Sequence, residues 1–107
     1  MSKEYIDKFI EFFEAALARP LIYFGKHDTD AVVIFTHGLY MSLSITNQIF
    51  PSLEICREAA KNCGWHFNAL GIIPDMKKKG LSDEEMVKEL ILVEIETWKI
   101  FRDKLEK

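Results

Sequence analysis

One carboxylate stands where this sequence otherwise calls for apolar side chains. Residues 82–106 write a single amphipathic helix. At about 100° per residue, Val87, Leu90, Ile91, Trp98, Phe101 and Leu105 share one face, and Glu94 falls among them. An unpaired buried charge is heavily penalised, so Glu94 needs a partner. Burial would raise its pKa toward neutrality and make it a proton acceptor in a ligand pocket. The ligand-contacting set expected around such a pocket is Glu94, Arg19, Tyr23, His37, Trp65, His66 and Trp98. Arg19 or one of His27, His37 and His66 is the expected partner of the acid. The plainer alternative is a structural carboxylate, hydrogen-bonded to Tyr, Trp, Arg or His across the helices.

Fuller catalytic constellations do not close. The apolar run 32–35 followed by Thr36-His37-Gly38-Leu39 looks like the oxyanion-hole region of α/β-hydrolases. That chemistry needs backbone N–H groups aimed at a tetrahedral oxygen and a nucleophile on a Gly-x-Ser-x-Gly elbow. None of Ser2, Ser42, Ser44, Ser52 and Ser82 sits in such an elbow. His27-Asp28 resembles the His-Asp pair of metal phosphohydrolases, which needs further His and Asp ligands on neighbouring helices. Only His37 and His66 remain, and neither has a second His one helical turn away. Cys56, Cys63 and His66 do not match zinc-finger spacing. There is no Walker loop and no dinucleotide fingerprint. No catalytic residue, no metal ligand and no cofactor is therefore assigned.

The most distinctive short string is Arg19-Pro20-Leu21-Ile22-Tyr23-Phe24-Gly25. It resembles the Arg-Pro-x-Met-Tyr-x-Gly segment in the ATPase domain of the DNA gyrase B subunit. There the next helix carries Glu and Asn for ATP and magnesium; residues 31–45 here contain neither, so the ATPase role does not carry over. The string also resembles small bacterial proteins of uncharacterised function. In those, an Arg-Pro-x-x-Tyr-x-Gly connector precedes a helix with a Phe-x-x-Gly pattern, here Phe35-Thr36-His37-Gly38. This likeness covers about residues 19–39. It implies an all-α domain and assigns no activity.

Composition narrows the classes further. The 107 residues suffice for one domain, and 49% hydrophobic with 29% charged residues suits a packed core. Eight Phe, three Tyr and two Trp supply much of its volume. A formal charge of −3 and a pI near 5.6 argue against a nucleic-acid binder, which wants a basic face. The one basic run, Lys77-Lys78-Lys79 before Gly80, suits the negative end of a helix. No apolar run reaches a membrane span and no leader-like start is seen, so a cytoplasmic protein is expected. Cys56 and Cys63 on one helix would lie about 10 Å apart along its axis, too far for a disulfide. Both read as small buried hydrophobes in a reducing compartment.

The elements that must position these residues form an all-α single domain, residues 1–107, with four main helices near 3–18, 29–46, 52–63 and 82–106. In the first, Tyr5, Ile6, Phe9, Ile10, Phe12, Phe13, Ala16 and Leu17 oppose Glu4, Asp7, Lys8, Glu11 and Glu14, and Ser2 can cap its start. Pro20 ends it. The apolar connector 20–27 is expected to fold back and plug the end of the bundle. Val32, Phe35, Leu39 and Leu43 recur at three and four, and apolar residues then continue all round, which predicts a central, largely buried helix. Gly38 inside it costs about 1 kcal/mol relative to Ala and signals close approach of another helix. Pro51-Ser52 open the next helix, with a seam of Leu53, Cys56, Ala59, Ala60 and Cys63; Pro74 starts one short turn that Gly80 ends. Ser82-x-x-Glu85 is a capping box for the last helix. The alternative is a small α+β fold, with 32–35 and 67–73 as strands.

The last helix is too apolar for one neighbour, because Leu92, Val93, Ile95 and Ile100 spread beyond its main stripe. That predicts a two-fold homodimer through this helix. The leading expectation is a non-catalytic protein-interaction or regulatory domain. A small-ligand or metal-binding protein using Glu94 with a histidine is the alternative, and a small hydrolase-like enzyme the third.

Overall fold

A computed structural model describes residues 4–25, 28–68 and 71–106. It is an all-α domain: α1 (Glu4–Ala18), α2 (Pro20–Phe24), α3 (Thr29–Ile45), α4 (Leu53–Asn62), α5 (Ile73–Lys78) and α6 (Asp83–Leu105). Local chemistry sets the breaks. Pro20 bars the helical conformation at Arg19 and restarts the chain as α2, which closes at Gly25 with φ 81°. The Asp28 carboxylate accepts from the Asp30 N–H at 2.9 Å and opens α3. The Ser52 hydroxyl accepts from the Ile55 N–H at 3.3 Å and opens α4. Ser82 and Glu85 form the capping box of α6, at 3.2 and 2.9 Å. Ser2, expected to cap α1, lies outside the described residues.

Residues 32–35 lie inside α3, which removes the first strand of the α+β alternative. Of the second, Asn68 and Gly71 make one isolated bridge and Ile73 already begins α5; residues 69 and 70 lie outside the described set.

The central helix is α6. On one side it packs against α1 and α3, where Ile6, Ile10, Phe13, Val32 and Leu43 meet Val87, Ile91, Trp98 and Phe101. On the other it packs against α4 and α5, where Ala59, Ala60, Ile72 and Met76 meet Met86 and Val93. The paired alanines bring the α4 backbone close to α6, which a larger side chain would prevent. This second layer takes up part of the apolar surface on which the expected dimer through α6 rests. Val93 and Ile95 retain only 8% and 7% of their surface, and of the four off-stripe residues Leu92 stays most exposed, at 38%. A helix apolar on two sides has here found two layers within its own chain.

The expected central helix, α3, is peripheral. Val32 and Leu43 are buried, but Ile34, Met41 and Ile45 are 70%, 62% and 73% exposed. The reason is geometric: a helix apolar all round carries no orientation signal, so its burial depends on how many neighbours reach it. Helix α6, at 23 residues, is longer and reaches both layers. The expected close approach at Gly38 is not made among the described residues, since a Cβ built there would meet nothing within 4 Å. Nor does α2 plug the bundle as expected: Pro20 is buried, but Leu21, Ile22 and Tyr23 are exposed. The seam of α4 likewise shifts, with Ile55 buried and Leu53 exposed.

Candidate functional site

Glu94 does have partners, and they are not the expected ones. The inward face of α3 carries Val32, Thr36, Leu39, Tyr40 and Leu43 at helical spacing. That periodicity brings Tyr40 opposite α6, where its hydroxyl donates to Glu94 Oε1. Trp98, one turn beyond Glu94 on the same helix, donates its indole N–H to the same oxygen at 3.3 Å. Trp98 is fully buried and is held by Phe9 at 4.9 Å, Phe101 at 5.8 Å and Tyr40 at 6.1 Å between ring centroids. Phe50, after α3, stacks on the outer side of Tyr40 at 5.8 Å.

The electrostatics follow from burial. Desolvation pushes the Glu94 carboxyl above its ordinary value, and the Tyr40 and Trp98 hydrogen bonds pull it back in part. The Tyr40 hydroxyl is pushed up by burial first and by the neighbouring Glu94 charge second. The Cys56 thiol, from α4, is pushed up to about 11 by burial and then by Glu94. Neither hydroxyl nor thiol can therefore ionise near neutral pH. The arrangement is a buried carboxyl group holding two neutral donors, with a protonated thiol beside it. It ties α3 to α6 and contains no activated nucleophile.

The remaining expected site residues are dispersed. Arg19 is an exposed residue at the start of α2, and His37 is exposed on α3. Tyr23 packs edge-on against Phe12 at 5.2 Å. The Trp65 indole donates to Glu89 at 3.1 Å, and the Lys79 ammonium sits 4.9 Å from its ring centre. The His66 backbone N–H donates to Asp75 at 2.9 Å. Thus only Glu94 and Trp98 of the expected set come together. Neither Arg19, His37 nor His66 hydrogen-bonds the Glu94 carboxylate among the described residues, and His27 lies outside them.

Among the described residues no three His, Cys, Asp or Glu side chains gather as a metal would require. Residues 36–38 sit inside α3, where backbone N–H groups are consumed by the helix and cannot form an oxyanion hole.

Tyr40, Phe50 and Cys56 were the residues that sequence reasoning missed. The signal for Tyr40 was present: it is a polar-tipped residue on a face otherwise filled by Val32, Leu39 and Leu43. A buried phenol needs an acceptor, and Glu94 was the one acid on an apolar face.

A second candidate surface lies on the opposite side of α3. Ile34, Met41 and Ile45 project outward with Gly38 between them, and Asp30 is the one acidic or basic residue of the helix apart from His37. Beside this face Phe35 stacks on Phe12 at 5.3 Å and meets Phe24 edge-on at 5.5 Å. Lys8, Phe9, Phe12, Phe35 and Leu39 line an open groove of about 350 Å³ between α1 and α3. Another open groove, of about 300 Å³, runs along α6 beside Cys63, Glu89, Leu92, Glu96 and Lys99.

Comparison with models of protein families gives no match, and comparisons with curated proteins and with solved structures give none either.

Proposed function

We propose that this chain is a non-catalytic protein-interaction or regulatory domain that works as a homodimer, with its contact surface on α2 and α3. One observation carries this: the outward side of α3 presents Ile34, Met41 and Ile45 to solvent on a helix whose one acid is Asp30. An exposed face of that kind is an association surface in a folded chain. The proposal puts the contact on α3 in place of the expected α6, because α4 and α5 already pack on α6.

The polar centre at Glu94 supports the non-catalytic part. Its carboxylate is engaged by Tyr40 and Trp98, and the adjoining thiol is held protonated. A cytoplasmic setting suits two free cysteines, Cys56 and Cys63. No described helix is long and apolar enough to cross a membrane. Kinship with the small bacterial proteins sharing the connector of residues 19–25 belongs to the same proposal; in this chain that connector forms α2 and closes at Gly25.

Sedimentation velocity from low to high micromolar concentration tests the proposal. A dimer is expected, and the Ile34→Glu, Ile45→Glu double variant should sediment as a monomer with an unchanged helical circular dichroism spectrum. A wild-type monomer at high micromolar concentration rejects the homodimer.

A further inference from the structure

Resting on that homodimer, we propose that two copies pack α3 against α3 in antiparallel orientation, across a two-fold axis passing beside Gly38. Half-buried Ala31 and the exposed Ile34, Gly38, Met41 and Ile45 follow one another at three, four, three and four residues. That is the seam of a helix pair, in which one stripe meets its counterpart along its full length. Gly38 stands at its midpoint, and the space a Cβ would occupy there is open to 4 Å. A second backbone can approach at that point more closely than at any other position of the seam.

The orientation follows from what faces what. In an antiparallel pair each residue faces the one equally far beyond Gly38 on the partner. Gly38 then meets Gly38 and Ala31 meets Ile45, while Ile34, four residues before the glycine, lies within one residue of Met41, three residues after it. Small lies against large at the ends, and two flexible or branched side chains interdigitate between. A parallel pair would stack Ile45 on Ile45 and bring two Asp30 carboxylates together. It would also align the helix dipoles, which the antiparallel pair opposes favourably.

The exposed area matches a second copy. Ile34, Met41 and Ile45, with Leu21, Ile22 and Tyr23 of α2, are 41–73% exposed. At about 200 Å² for each large side chain, they leave roughly 700 Å² uncovered per chain, close to the ~800 Å² each partner contributes to a standard interface. Phe24 against Phe35 at 5.5 Å holds α2 beside the N-terminal half of α3. Asp30, the one acid of the helix, sits at its end and away from the axis.

Two substitutions at Gly38 and one pair of cysteines test this. Gly38→Ala should raise the melting temperature at low concentration, because Ala suits a helix interior and meets open space in the monomer. The same variant should weaken dimerisation, and Gly38→Leu should raise the dissociation constant at least tenfold. In a Cys56→Ala, Cys63→Ala background, Ala31→Cys mixed with Ile45→Cys should give a mixed disulfide on mild oxidation, and Ala31→Cys alone should give little. Self-crosslinking of Ala31→Cys, or a dimer indifferent to Gly38→Leu, overturns the antiparallel arrangement while leaving the homodimer standing. A protein monomeric at every concentration overturns both.

Discussion

Helices α1 and α3 flank the same side of α6 and are similarly rich in apolar residues, yet they are used differently. Helix α1 hides Ile6, Ile10, Phe13 and Ala16 on one stripe and turns Glu4, Asp7, Lys8, Glu11 and Glu14 outward. Helix α3 hides Val32 and Leu43, and its outward side carries Ile34, Met41 and Ile45. In α1 the charges leave one orientation with a low desolvation cost. In α3 Asp30 and His37 are the only such residues, so little desolvation cost opposes burial of its outward side. The lesson is that charged residues, more than apolar ones, record where a helix stops being core.

The sharpest way to break this contrast is to shorten one residue from each helix. Ile10→Ala should cost about 2–5 kcal/mol, as for other buried aliphatics. Ile45→Ala should stay within about 0.5 kcal/mol when the protein is dilute. Urea titration at sub-micromolar concentration reads both, and an equal cost would erase the distinction between the two faces.

A smaller effect probes how the inner side of α3 is held. Tyr40→Phe leaves Glu94 with the Trp98 indole alone. Removing one partner of a buried hydrogen bond costs about 1–3 kcal/mol, and that loss should appear in the same titration. An unchanged midpoint would mean that α3 is placed by packing alone.

A further effect is a slope in pH. The folded Glu94 holds its proton to higher pH than the ordinary 4.5, because burial disfavours its charge. In the window from about 4.5 to its raised folded value the native state binds more protons than the unfolded one, so this group's contribution to stability falls as pH rises. Asp75 and Glu85 act in the opposite sense: their pKa values are lowered, so their stabilisation is lost as pH falls. The difference between Glu94→Gln and wild type isolates the one group. It should move in favour of the variant as pH rises through that window, then level off. A flat difference would show that Glu94 titrates as an exposed acid.

What local chemistry determines was legible in the residues. Ser82 with Glu85, Ser52, Asp28, Pro20 and Gly25 mark where helices start and stop because each acts on backbone within four residues. The one-sided stripe of α1 and the anomaly of Glu94 were equally visible, since both are matters of spacing along one helix. Tyr40 as the partner of Glu94 was not, because the two are 54 residues apart. Nor was the second layer of α4 and α5 on α6, nor the open side of α3. Those depend on which apolar surfaces are consumed first, and a helix apolar on several sides takes the neighbours that the rest of the chain can deliver. Periodicity along one stretch of sequence says that a surface is apolar; only the packed structure decides which surface is covered from within and which stays exposed.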